Sequence, residues 1–290
     1  MISGADIKQK PDHESTCDSG GPMKKKLGII GCGTMGRLIG LHVRSQLSSF
    51  YELAAVSSRT MEHAVKLGEE LQVPALSAEE LIAVCDMVVE SASAAAMPGI
   101  VRACLAARKE VVCLSVGGFA LDEALLGDVL GQETLVHVPS GAVAGLDGIS
   151  VLREIGLDSL SVTTVKRPES LGLSDISDLP PAEEKNCSAD ARLVFDGAAY
   201  DAIRLFPANV NIAIALSLAG NGFNETQVRL IADPQAEGTR HHITARAGKC
   251  SLEITATPTP LRENPRSSAL AMYSIPALLR QLAAPLRLAG

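Results

Sequence analysis

Residues 24–36 read KKKLGIIGCGTMG, and this stretch decides the fold. Residues 27–30 form a short apolar run suited to a buried parallel strand, and Gly31, Gly33 and Gly36 follow at the spacing of a dinucleotide-binding turn that opens onto a helix. Each glycine has a separate duty. The first permits the tight turn, the second lets backbone approach a pyrophosphate, and the third lets helix and strand pack closely. The diphosphate would then rest on unpaired N–H groups at the helix start, with Thr34 and Met35 beside it. Glycines also end strands in proteins that bind nothing, so the reading leans on context. Here an apolar strand precedes the turn and a helix-compatible segment, 34–46, follows it.

Outward from this turn the chain alternates. Strands are expected at 27–30, 52–56, 86–90, 110–114 and 134–138, with helices at 34–46, 61–71, 78–84, 94–108 and 121–130 between them. Such a βαβα rhythm predicts an α/β fold, a Rossmann-type doubly wound parallel sheet covered on both faces. After Val138 the texture changes. Residues 139–148 (PSGAVAGLDG) are loop-like, and 161–167 (SVTTVKR) read as an antiparallel strand. Residues 168–189 form a polar insertion read as a mobile loop, and 209–219 look helical. Further strands at 227–232, 241–245 and 251–255 predict a second α+β domain with a mostly antiparallel sheet. A last amphipathic helix, 267–288, is expected to return to the first domain. The expected organisation is therefore a disordered leader at 1–23, a dinucleotide-binding domain of 24–139 plus 264–290, and a substrate and dimerisation domain at 140–263.

Composition narrows the function. The chain has 290 residues, 47% hydrophobic and only 3% aromatic without tryptophan, so its core must be built from aliphatic side chains. A net charge of −7 argues against a nucleic-acid partner. Residues 1–23 lack an apolar signal-peptide centre and no apolar run is long enough for a bilayer, which makes the cytoplasm the expected location and excludes a membrane partner. Seven cysteines, an odd count with no CxxC pair, predict neither a disulfide scaffold nor a metal site.

Candidate site residues cluster at strand ends. At the end of the second strand an acidic residue about twenty residues past the glycines would select NAD by its ribose hydroxyls. This chain has Ser57, Ser58 and Arg59 there, so NADP is expected to serve at least as well as NAD; a solvated arginine is the bland alternative. Ser115, in SVGG at the end of the fourth strand, falls where a nicotinamide ring would lie, or else in a plain turn. The loop Ser140-Gly141-Ala142 after the fifth strand is expected to line the site. Hydride transfer from a carbon bearing an amine or hydroxyl needs an acid or base, and histidine is most easily poised near neutral pH. His241 and His242 open a strand on which neighbours face opposite ways, so only one can meet the cleft, and the residues alone do not say which.

Six motifs together resemble the L-aspartate dehydrogenase family. They are GCGTMG at 31–36, SVGGFA at 115–120, VPSGAVAGLDGI at 138–149, FPANVNIAIALSLAG at 206–220, His241 followed by Ile243, and NPRSSAL at 264–270. The resemblance spans 27–282 and implies a homodimeric enzyme that reversibly oxidises L-aspartate with NAD or NADP. The product, iminoaspartate, hydrolyses to oxaloacetate and ammonia or feeds NAD synthesis. It implies His241 as the catalytic residue, with His242 one register away, and Ala142 and Asn211 as nicotinamide contacts. Ser140, Gly141 and Asn209 then offer donors to the substrate dianion, while Lys166 and Arg167 read equally well as a solvated strand end. Ser58 stands where many members carry an acid. The alternatives are a related oxidoreductase acting on another amino or hydroxy acid, and a non-catalytic NADP-sensing protein.

Overall fold

The structure, a computed structural model, describes residues 24–207, 209–263 and 267–286. The expected leader and the Asn264-Pro265-Arg266 part of the last motif lie outside the described residues. Two five-stranded sheets organise the rest. The first holds β1 (Lys25–Ile30), β2 (Tyr51–Ser57), β3 (Met87–Glu90), β4 (Glu110–Cys113) and β5 (Val136–His137), all parallel in the order β2-β1-β3-β4-β5. Strand order reverses between β1 and β3, the place where open α/β sheets leave a crevice for ligands.

Leu27–Ile30 of β1 are all buried because the sheet is covered on both faces. Leu27 and Ile29 pack on the side of α1 (Thr34–Gln46), whereas Ile30 joins Leu81 and Val101 from α3 (Ala78–Val84) and α4 (Met97–Ala106). Between β2 and α3 lies α2 (Met61–Leu71). A capping box starts α3, the Ser77 side chain accepting from Glu80 N while the Glu80 carboxylate accepts from Ser77 N.

Several elements differ from expectation. The helix expected from residue 94 begins at Met97, with Pro98 in its first turn where the missing N–H costs nothing. Expected helix 121–130 is split into α5 (Gly118–Leu121) and α6 (Ala124–Leu130). Asp122 between them is extended, its carboxylate held by both Arg102 terminal nitrogens at 2.6 and 3.1 Å. The helix α7 (Leu146–Ile155) starts inside the expected 139–148 loop, entered through Gly145 at φ +78°.

The second sheet holds β6 (Ser159–Lys166), β7 (Arg192–Ala198), β8 (Thr226–Ala232), β9 (Arg240–Ala247) and β10 (Cys250–Ala256), in the order β10-β9-β6-β8-β7. The expectation that 161–167 pairs only antiparallel is corrected here: β6 is central, antiparallel to β9 but parallel to β8. Two helices, α8 (Ala199–Leu205) and α9 (Asn211–Ala219), sit between β7 and β8 and make that parallel return possible. β7 and α8 are elements the sequence pattern does not announce. The helices α7, α8 and α9 bury one face of the sheet over Leu160, Val162, Ile243 and Ala245. Residues 168–189 open with a 3₁₀ turn (Pro168–Leu171), and Ser188 is bonded to the Asp233 carboxylate through N and Oγ at 3.0 and 2.6 Å.

The last helix, α10 (Ala269–Ala283), packs on α1 and sends Ile275 and Leu279 into the cluster of Leu27 and Ile29. Tyr51 Oη, on β2, donates to Leu279 O at 2.8 Å. Among the described residues no helix is long and apolar enough to cross a membrane.

Candidate active site

The turn after β1 is held by backbone and by side chains at Ser91 and Cys32. Gly31 N donates to Ser57 O at 2.8 Å, and Ser91 Oγ donates to Gly31 O at 2.9 Å. Gly31 has φ +113°, and a Cβ on Gly36 would overlap the Gly31 carbonyl, so both positions exclude a side chain for internal reasons. Gly33 differs. A Cβ there would meet no protein atom within 4 Å, and Gly33 caps α1 without any side-chain hydrogen bond. Open space beside a helix N-terminus with spare N–H groups fits a pyrophosphate. Ser58 is half-buried and Arg59 exposed at the end of β2. Cys32, within the turn, donates to Ser57 O at 3.3 Å, and burial pushes its thiol up to about 11, which keeps it out of thiolate chemistry.

Beyond the turn a cleft of about 450 Å³ runs between the two sheets. Of the residues singled out from sequence, Met35, Ser115, Ser140, Gly141, Ala142, Asn209, Asn211 and His241 line it. Gly31, Gly33, Thr34, Gly36, Ser58 and Arg59 do not. They belong to the turn and strand end outside its walls. Ser115 and the backbone around it are fixed by Glu90, a fully buried carboxylate at the end of β3. Its two oxygens accept from Ala92 N at 2.7 Å and Ser115 N at 3.0 Å. Burial raises the Glu90 pKa and these N–H donors oppose the rise. Glu90 thus ties the loops after β3 and β4 together. It reads from sequence only as the polar end of an apolar strand.

The opposite wall comes from β6 and β9. Register pairs Thr164 with His241, and both lie on the helix-covered face with Leu160, Val162, Ile243 and Ala245. His241 is only 4% exposed, and Thr164 Oγ1 sits 2.9 Å from its Nδ1. With Nδ1 engaged, Nε2 is the ring nitrogen left for the cleft. Burial, reinforced by the Lys166 charge, lowers its pKa to about 3, so the ring is neutral at physiological pH. His242 lies on the other face, its Nδ1 at 3.2 Å from Thr255 Oγ1.

Lys166, which the sequence leaves undecided, also lines the cleft. Its Nζ donates to Asn209 Oδ1 at 2.9 Å, and burial lowers its pKa. Strand alternation from Thr164 was the available signal, because residues two apart on β6 share a face. The wall formed by Ser268, Ala271 and Ser274 of the α10 region was also missed, since only the tertiary return of that helix brings it to the cleft. The arrangement joins a nucleotide-type turn, a neutral imidazole and one ammonium group around a space the size of a small metabolite plus a ring.

Comparison with known proteins bears on what that space is for. Residues 147–282 match the family profile described as aspartate dehydrogenase, C-terminal, and residues 31–136 match the homoserine dehydrogenase NAD-binding domain. The chain is 37% identical to the L-aspartate dehydrogenase of Methanosarcina mazei, across 91% of this chain and 98% of that one. Identity to the L-aspartate dehydrogenase of Methanocaldococcus jannaschii is 33%, with 90% and 98% covered. Among solved structures, the aspartate dehydrogenase of Thermotoga maritima matches with a TM-score of 0.71 at 24% identity, over 92% of this chain and 100% of that one. At that identity the structural match speaks to the fold.

Proposed function

Because the chain belongs to the L-aspartate dehydrogenase family, we propose that it catalyses the NAD(P)-dependent oxidative deamination of L-aspartate to iminoaspartate, which water converts to oxaloacetate and ammonia. The observation that carries this reading is His241. A neutral imidazole, tethered at Nδ1 and open at Nε2, faces the same cleft as Ser115 from the dinucleotide-binding side and Ala142 from the loop after β5.

The spare N–H groups at the start of α1 and the open side of Gly33 would hold the diphosphate, and Ser115, Ala142 and Asn211 would flank the nicotinamide. When bound, the oxidised nicotinamide supplies a hydride acceptor. The chain's own residues handle protons and orientation. His241 Nε2 accepts a proton from the substrate ammonium, leaving the amine lone pair free to form the C=N bond as the Cα hydride departs. Once that proton has passed to solvent, the same nitrogen can take one from the water that adds to the imine. A dianion bound beside the ring brings back negative charge, which moves the imidazole pKa up towards the working range. Thr164 holds the ring orientation throughout, its hydroxyl able to pair with Nδ1 as acceptor or donor. Ile212 and Ile275 supply apolar wall that keeps bulk water off the reacting carbon.

Ser57, Ser58 and Arg59 at the end of β2 offer no acid to repel a 2′-phosphate, so NADP serves at least as well as NAD. The chain divides functionally into 24–139 plus 264–290 for the nucleotide and 140–263 for the substrate and the homodimer. Gln227, Arg246 and Glu253 are exposed on the face of the second sheet that α7, α8 and α9 leave uncovered. A cytoplasmic setting suits cysteines of which none described is paired.

The test is reduced-nucleotide formation over a panel of amino and hydroxy acids, run with each nucleotide and in reverse with oxaloacetate, ammonia and NADPH. Aspartate should give the highest kcat/KM. Faster turnover of another acid would reassign the substrate, and nucleotide binding with no turnover of any acid would make the protein a sensor.

A further inference from the structure

We propose that Lys166 is the carboxylate anchor of the cleft, its ammonium binding one carboxylate of the substrate and setting the preference for dicarboxylate over monocarboxylate amino acids. The proposal rests on the aspartate reading and deepens it. Among the described residues that line the cleft, Lys166 is the one lysine or arginine, and no aspartate or glutamate lines it. A dianion cannot enter a largely desolvated site without donors that offset its lost hydration.

Lys166 is built for that role by the elements around it. It ends β6 two residues after Thr164, on the face shared with His241. Its neighbour Arg167 is exposed and turned elsewhere, with Nε donating to Ala236 O at 2.7 Å. Asn209 Oδ1 takes one of the three ammonium protons, which fixes the Lys166 head and leaves two donors free. The nearest acid along the paired strand does not neutralise it. Lys166 is in register with Ala232, and the next residue, Asp233, spends both carboxylate oxygens on Ser188 and Gln235. Lys166 is therefore an ammonium carried into the cleft with an amide, not a carboxylate, as its protein partner. Burial lowers its pKa, and a bound carboxylate would oppose that shift by favouring the charged form. The mechanism above needs no proton from it, so its contribution falls on substrate binding.

The experiment measures Lys166→Met against the unaltered protein in two ways. Succinate, which has both carboxylates and no amine, is titrated calorimetrically into protein saturated with nucleotide, and steady-state constants are measured for aspartate. The unaltered protein should bind succinate, and Lys166→Met should weaken both succinate binding and the KM for aspartate by about 30-fold or more, the scale of a lost charge-assisted contact. The kcat should fall less than the KM rises, and nucleotide affinity should stay within about twofold, as expected of a group that binds substrate rather than moves its proton. Lys166→Arg should recover part of the loss, and Asn209→Ala should weaken succinate binding by about threefold by releasing the lysine head. No succinate binding by the unaltered protein, or equal binding by Lys166→Met, would overturn the proposal. A collapse of kcat with succinate affinity intact would overturn it in favour of a proton-transfer role. Failure of the aspartate reading is separate: the unaltered protein would then bind succinate yet oxidise some other dicarboxylate.

Discussion

Two regions meet at the cleft, and they are made of different material. The turn after β1 presents backbone: glycines, spare N–H groups and the carbonyl of Gly31 clamped by Ser91. The β6–β9 wall presents side chains, with Thr164, Lys166 and His241 brought together from strands 77 residues apart at the Thr164–His241 contact. A backbone site is specified by local spacing, so thirteen contiguous letters are enough to find it. A side-chain site is specified by strand register, and a slip of one residue in β9 would exchange His241 for His242.

The largest effect expected from breaking this contrast is at the β9 end. His241→Ala should lower kcat by about a thousandfold, or about 4 kcal/mol of barrier, with nucleotide affinity unchanged, because a positioned acid or base contributes on that scale. His242→Ala, one letter away on the other face, should stay within about threefold. Equal losses from the two would mean the register is not the one that pairs His241 with Thr164.

At the backbone end the corresponding contrast is between two glycines of one motif. Gly36→Ala places a Cβ against the Gly31 carbonyl, which no side-chain rotation relieves, so chemical denaturation should show a loss of about 3 kcal/mol or more. Gly33→Ala meets no protein atom within 4 Å and should leave stability almost untouched while weakening nucleotide binding. Similar stability losses from both would show that the open side of Gly33 is filled in solution.

What sequence could and could not reveal follows the same division. The bounds of α1, α2 and α3 were readable because local signals set them, apolar periodicity within each helix and the Ser77–Glu80 capping box before α3. The parallel placement of β6 beside β8 was not. It depends on β7 and α8, whose segment Arg192–Leu205 carries no clean alternation, and β7 has a register shift between Leu193 and Phe195. Glu90 looked like a polar strand end because its two N–H donors, on Ala92 and Ser115, come from loops that meet only in the fold. Lys166 was ambiguous for the same reason: Asn209 lies 43 residues away.

Burial of the imidazole makes a third test that needs no substrate. An unfolded histidine titrates near 6.5, and His241 in the fold near 3, so below the unfolded value the unfolded chain binds the extra proton. Its contribution to stability is fully present above about pH 6.5 and is lost as pH falls towards 3, at about 1.4 kcal/mol per pH unit. His241→Asn should remove that slope from urea unfolding measured between about pH 4 and about pH 6. An unchanged difference between the two proteins across the interval would mean the ring is solvated. A smaller effect is expected of its tether. Thr164→Val leaves Nδ1 without its partner and should lower kcat by about tenfold while KM holds, the usual scale of one orienting hydrogen bond.

The smallest effect returns to the backbone side, at the exposed side chain that follows β2. Arg59 is exposed, so a contact with a 2′-phosphate would be made in water and screened by salt. Arg59→Ala should therefore raise the KM for NADP by about fivefold at low ionic strength, with the KM for NAD nearly constant and the difference shrinking as salt is added. The salt dependence is the discriminating part. A loss that persists at high salt would mean that Arg59 stacks on the adenine, and NAD would then suffer alongside NADP. Equal KM values for both nucleotides before and after substitution would show that this end of β2 reads no phosphate, leaving selection to the backbone alone.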